Sequence, residues 1–125
     1  MAGAPKFSLA FNIGRRNDER IAAFELYRRA FGAAKRSEVT APGGDLHIVM
    51  EINDLTILIA PGGKVQKTTE SAVVCEFLFD DEGALRRAYD VLNEGCMDAS
   101  IGNYPWAPIG ALVTDRYGIT WWLRT

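Results

Sequence analysis

Histidine is nearly missing from this chain of 125 residues: His47 is the only one. That excludes any site built from several imidazoles, such as a His-rich metal centre or a relay between histidines. Cysteine is scarce as well. Cys75 and Cys96 lack CxxC spacing and read as free thiols of a reducing, cytoplasmic compartment. No apolar run nears membrane-spanning length, the longest clean one being 55–60. The opening residues, MAGAPKF, lack the apolar core of a signal peptide. Net charge is only −2, so the whole-chain balance gives no reason to expect a polyanionic partner. Arginines do come in pairs (Arg15-Arg16, Arg28-Arg29, Arg86-Arg87). Two of these pairs fall in expected helices among acidic neighbours and read as solvated faces. Neither nucleic acid nor a membrane is expected as a partner. Gly62-Gly63-Lys64 is not a phosphate loop, because the upstream glycine is missing and Val65 stands where a hydroxyl would hold magnesium.

What is present is enough apolar material, 48% of residues, for one domain over 1–125 with a real core. Residues 7–13 read as a strand, followed by a polar loop over 14–17. Asn17 or Asp18 can cap a helix whose apolar stripe is Ile21, Phe24, Tyr27 and Phe31, and Gly32 stops it. Strands follow at 36–40, 46–52 and 55–60, the last two joined by a turn at Asn53-Asp54. Residues 61–71 are polar and aperiodic and read as a linker. The order then repeats: a strand over 72–79, a helix capped by Asp80 or Asp81 with the stripe Leu85, Ala88, Tyr89 and Leu92, and a stop at Gly95. A short strand at 97–101, an aromatic loop at 103–108 and a closing hairpin over 109–123 complete it.

The repeat has a fixed offset. Asp18 and Asp81, Gly32 and Gly95, and the turns Asn53-Asp54 and Arg116-Tyr117 each lie 63 apart. Three landmarks at one offset predict two copies of a strand-helix-strand-strand-strand unit, 6–60 and 72–125. The offset breaks only at the first strand, where 14–17 adds residues.

Local signatures sharpen this. Ala22-Ala23-Phe24-Glu25-Leu26-Tyr27 with Ala30-Phe31-Gly32, and Thr114-Asp115-Arg116-Tyr117-Gly118-Ile119 with Trp121, resemble the first helix and closing hairpin of the vicinal-oxygen-chelate superfamily. That superfamily includes glyoxalases, bleomycin-resistance proteins and extradiol dioxygenases. Tyr104-Pro105-Trp106 and the strand of His47 are similar to its PhnB-related branch. The resemblance implies an α+β fold: two tandem βαβββ units form curved mixed sheets around a concave cavity, with helices on the convex side. Pairing of the units within one chain or across a homodimer is implied too. In catalytic members a divalent metal, held by His and Glu of both units, acts as a Lewis acid.

Strand parity assigns faces, because alternate side chains share one side of a strand. Val73, Cys75, Phe77 and Phe79 should face the helix, as should Ile48, Met50, Ile52 and Ile119, Trp121, Leu123. Val74, Glu76 and Leu78, His47, Val49 and Glu51, and Thr120, Trp122 and Arg124 should face the cavity. Aligned with the superfamily, its metal-ligand positions fall at about Phe7, Val49, Val74 and Trp122, or Ser8 for Phe7 if the strand shifts by one. None is a metal-ligand type of that kind.

Three readings follow. The leading one is a metal-independent protein, without cofactor, that binds a flat or apolar small molecule by stacking on Trp122, Trp106 and Tyr104. His47, Glu76 and Arg124 would then fix the orientation. The second is a metal-dependent lyase, isomerase or dioxygenase with a displaced divalent-metal site at His47, Glu51 and Glu76, residues that are also candidates for general acid-base work. The third is a structural or interaction module whose aromatics bury at a dimer interface. No nucleophilic motif is present.

Overall fold

Alternating burial writes the same pattern twice along the chain. The protein is described from a computed structural model that covers residues 7–63 and 71–125. The opening residues 1–6, and 64–70 of the expected linker, lie outside the described residues. The first unit is β1 (Leu9–Asn12), α1 (Asn17–Phe31), β2 (Ala34–Thr40), β3 (Leu46–Ile52) and β4 (Leu55–Ala60). The second is β5 (Cys75–Leu78), α2 (Glu82–Leu92), β6 (Asp98–Tyr104), β7 (Ala107–Thr114) and β8 (Thr120–Arg124). The sheets have matching orders, β1-β4-β3-β2 and β5-β8-β7-β6. Each joins its first and last strands in parallel and its other neighbours antiparallel. The α+β, mixed-sheet expectation holds.

Register repeats as well as order. Glu38 faces Ile48 in one sheet and Ile101 faces Ala111 in the other, each strand displaced by 63. In the outer parallel pairs Phe11 faces Ile59 and Phe77 faces Leu123, so the offset is 66 at the first strand and 64 at the last. The first unit carries extra residues before α1, where the sequence places them, and the second carries one more than expected between β7 and β8.

Each helix begins and ends for local reasons. In α1 the residue before the first turn is Arg16, not Asn17 or Asp18. Its N–H donates to Glu19 Oε1 at 3.2 Å, and acidic Asp18 and Glu19 suit the helix N-terminus. Asn17 serves a different purpose: its Oδ1 accepts from Arg20 and from the Leu46 N–H, while its Nδ2 donates to Gly44 O. The helix stops at Gly32, whose φ of 71° only glycine adopts freely and whose N–H returns to Arg28 O. In α2, Asp81 is the cap and accepts from the Ala84 N–H at 2.7 Å. The α1 stripe differs from expectation at its first rung. Ile21 is 48% exposed, and Arg20 occupies the buried position one helical turn before Phe24.

The two units share one core. Phe31 of α1 stacks on Phe77 of β5 at 4.8 Å, and Phe11 meets Trp121 edge-on at 5.9 Å. Tyr27 of α1 packs on Trp121 and donates its hydroxyl to Asp115 Oδ2 at 2.7 Å. α1 also packs along α2. Among the described residues no helix is long and apolar enough to cross a membrane.

The strand boundaries shift most at the aromatic segment. Residues 103–108 are not a loop. β6 runs on to Tyr104, which faces Ala107 across the two-residue turn Pro105-Trp106, and β7 restarts at once.

Candidate functional site: an open aromatic sheet face

Burial settles which side of each sheet is free. In β7 Ile109, Ala111 and Val113 are buried, as are Trp121 and Leu123 in β8 and Ile48, Met50 and Ile52 in β3. Their alternates, including His47, Val49, Glu51, Glu76, Trp122 and Arg124, lie on the open faces, as parity predicts. In β1, Phe11 is buried with the helix-side set, so Ala10 and Asn12 share the open face. Phe7 lies before β1 and is 80% exposed, away from the aromatic residues of the second sheet in the strand order. Thr120 is on the open side of β8 but 5% exposed, its hydroxyl bonded to that of Thr114.

The open face of the second sheet carries the aromatics. Trp122 reaches from β8 over β7, where Gly110 leaves the sheet bare. A Cβ at Gly110 would lie 3.0 Å from Trp122 Cζ2, closer still to Cη2, and 3.0 Å from Tyr104 Cδ2. The indole therefore rests on backbone and is held from the side by Tyr104, edge-on at 5.0 Å and 88°. Trp106 continues the cluster at 5.3 Å from Tyr104 and is 68% exposed at the turn. Leu78 and Leu112, 58% and 40% exposed, add uncovered apolar surface to this face. Gly110→Ala is expected to lift Trp122 off the sheet. The cost should be about 1–3 kcal/mol, as for overpacking, and would be read by urea unfolding and a changed tryptophan emission spectrum.

Charged groups border both faces in pairs. Arg124 Nε donates to Glu76 Oε1 at 3.0 Å. On the first sheet Arg36 binds Glu51 through two donors, at 2.9 and 3.1 Å, and this hydrogen bonding holds the Glu51 carboxyl below its ordinary value. His47 lies near the start of β3, its Nδ1 3.3 Å from Asp45 O.

The trio proposed for a metal is not assembled by the chain. His47 and Glu51 lie on one sheet and Glu76 on the other, and each carboxylate is paired with an arginine. Among the described residues no three His, Cys, Asp or Glu side chains come together. These donors do not fit a resident divalent metal within one chain.

Sequence reasoning missed the groups that tie the closing hairpin to α1. Asp115 is fully buried and accepts from Tyr27 Oη, Trp121 Nε1 and the N–H groups of Tyr117 and Ile119 at 2.7–3.1 Å. Burial pushes its carboxyl above the ordinary value, although these bonds pull it down. Burial, then the neighbouring Asp115, pushes the Tyr27 hydroxyl well up. Cys75 is half-buried beside them, its thiol raised mainly by burial. A separate cavity of about 480 Å³ opens at the seam between the units, lined by Leu9, Leu55, Ile57, Val73, Phe77 and Trp121. Glu76, the register partner of Trp122, also lines it.

Two βαβββ units in tandem are a recognisable fold, and comparison with solved structures finds it elsewhere. No family model and no curated protein sequence matches the chain. Solved structures do match. The PhnB protein from Bacillus cereus has a TM-score of 0.76 at 15% identity, over 96% of this chain and 98% of that one. A glyoxylase/bleomycin resistance protein/dioxygenase domain from Frankia has 0.66 at 13%, over 99% and 97%. The fosfomycin resistance protein FosX from Listeria monocytogenes, in complex with Mn(II) and a dihydroxypropylphosphonic acid, has 0.65 at 12%, over 99% and 92%. The chain has the fold of the vicinal-oxygen-chelate superfamily.

Proposed function

We propose that this chain is a metal-independent small-molecule-binding protein that acts as a homodimer, with its ligand held on the aromatic face of the second sheet. The observation that carries this reading is the seating of Trp122 on Gly110 against Tyr104. A large aromatic wall is fixed in place yet left uncovered. Ligand sites are mostly apolar, largely preformed and carry a few orienting polar groups. Arg124 and Glu76 supply such groups at its border, whereas His47 stands on the other sheet. The scattered and arginine-paired carboxylates favour this reading over metal-assisted chemistry.

The test uses untagged protein prepared without chelators. Metal analysis is expected to find no stoichiometric zinc, nickel, manganese or iron. A planar aromatic probe such as naphthalene-2-methanol is expected to perturb tryptophan emission in the wild type but not in Trp122→Ala. Stoichiometric metal lost in His47→Ala would replace this reading with the metal-dependent one. Silence across a broad panel of aromatics would favour a purely structural module.

The dimer is supported by the uncovered apolar side chains Leu78 and Leu112. Sedimentation should give a particle of twice the 13.8 kDa chain mass. Leu112→Glu should shift it towards monomer without lowering helix content, because Leu112 packs on the open face and not in the core.

A further inference from the structure

The seam cavity has an origin in the topology. β1 and β5 are end strands of separate sheets, and among the described residues no strand pairing joins those sheets. Side chains alone fill the seam, and where β1 and β5 begin they leave a gap. Two equivalent register pairs line it: Leu9 with Ile57 from the first unit, Cys75 with Trp121 from the second. Each joins the first residue of a unit's first strand to its partner on the fourth. The pairs differ in what they fill. Where the first unit places leucine, the second places cysteine, a smaller side chain. The space of about 480 Å³ falls among small-molecule sites, which span roughly 300–1,000 Å³.

Chemistry changes from floor to mouth. Ile57 and Trp121 are buried and Phe77 is partly so, which makes the floor apolar and part aromatic. Trp121 is fixed there, because its Nε1 donates to Asp115 at 3.0 Å. The lining residues at the mouth are exposed: Leu55, Val73 and Val74, with Asp54 from the β3–β4 turn and Glu76 from β5. Among the described residues no Lys, Arg or His lines the cavity. Glu76 gives one oxygen to Arg124, and the Cys75 thiol, raised mainly by burial, stays neutral. The mouth is therefore acidic. A Debye length of about 8 Å at physiological salt reaches across much of such an opening, so a charge held there feels both carboxylates without touching either.

We propose that the seam cavity binds an apolar organic cation, an amine whose hydrocarbon body lies on Trp121 and Ile57 while its ammonium stays at the acidic mouth. A buried ammonium would lose its hydration, whereas at the mouth it keeps water and gains the field of the carboxylates. This site is distinct from the aromatic face. Its floor uses Trp121, on the helix side of β8, and the aromatic face uses Trp122, on the other side. It does not depend on what that face binds.

Calorimetric titration of the full chain with cyclohexylmethylamine, cyclohexylmethanol and cyclohexanecarboxylate tests it. These bodies are not planar, which disfavours stacking on Trp122. The amine is expected to bind about fivefold tighter than the alcohol, the upper range for one exposed ion pair. The carboxylate should bind weakest. Binding should shift the indole N–H resonance of Trp121 and persist in Trp122→Ala. Asp54→Asn should bring the preference for the amine down to about twofold and leave the alcohol unchanged. Raising the salt concentration should shrink the preference too. Cys75→Leu, which supplies the leucine of the first unit, should weaken all three, and so should Val73→Trp at the exposed mouth. Far-UV circular dichroism reports that each variant is folded. Equal binding of amine and alcohol, or a preference unchanged in Asp54→Asn, would overturn the cation assignment. Binding unchanged in both Cys75→Leu and Val73→Trp, or lost in Trp122→Ala, would overturn the location. If no congener binds to folded wild-type protein, the seam site falls and the reading of the aromatic face stands.

Discussion

Asp115→Ala is expected to lower stability by roughly 3–5 kcal/mol, the range for removing one partner from a buried charged network. Asp115 ties together parts that are far apart in sequence. Tyr27 comes from the first unit, Trp121 from the last strand, and the Tyr117 and Ile119 N–H groups from the turn between β7 and β8. Without the carboxylate, four donors lose their acceptor inside the protein. Tyr27→Phe removes one donor only and should cost about 1.5–3 kcal/mol, as for a hydrogen bond to a charged group. Urea unfolding of both variants checks the order. An Asp115→Ala loss no larger than that of Tyr27→Phe would mean that the turn N–H groups find other acceptors.

The same group has a signature in pH. Its folded value lies above the ordinary 3.8, chiefly through burial. Such a carboxyl takes up its proton first in the folded state. Its contribution therefore favours the fold below 3.8 and is lost as pH rises through the higher folded value. Glu25, Glu51 and Glu94 act in the opposite sense. Hydrogen bonds from Arg28, Arg36 and Arg29 hold them below 4.5, so their contribution is present above 4.5 and lost as pH falls through their folded values. Asp115→Asn removes the opposing contribution. Its urea midpoint should fall more steeply than that of wild type on acidification towards pH 3.8.

Arg20→Met should be comparably damaging, at roughly 3–5 kcal/mol. The side chain is fully buried and donates to Leu46 O at 2.7 Å, Gly14 O at 2.8 Å, Ile13 O at 3.2 Å and Asn17 Oδ1 at 2.6 Å. Methionine keeps most of the stem volume and removes every donor. The carbonyls it leaves belong to the loop before α1 and to the first residue of β3, so that loop should loosen together with the strand that carries His47. Thermal unfolding gives the loss, and amide exchange at residues 14–17 and 46–48 should rise with it. A loss below about 1 kcal/mol would show that water replaces the guanidinium.

Those two residues also show where the sequence stopped being readable. Apolar period and strand parity gave the units, the offset and the faces of β3, β5 and β8, because one side of each is buried and the other is not. Arg20 is not marked by the apolar stripe, which contains only apolar residues. An arginine on the buried side is visible only once the carbonyls around it are placed. Asp115 escaped because aspartate in a turn has a local explanation, and its partner Tyr27 is 88 positions away. Pro105 and Pro108 punctuate the aromatic segment like a loop, although Pro105 sits in the turn and Pro108 where the register of β6 and β7 shifts, positions at which a ladder N–H is not needed. The value of Gly110 depends on which strands are neighbours, and composition does not encode that.

The parallel pairing of β1 with β4, and of β5 with β8, sets an order of events during synthesis. Neither sheet can close until its last strand has left the ribosome, since the first strand of each unit waits for the fourth. β1 therefore stays without its partner while α1, β2 and β3 emerge, and the Tyr27 hydroxyl has no acceptor until Asp115 arrives from the other unit. A nascent chain arrested before residue 115 should be open to protease in both units. Release of the full chain should protect both in one step.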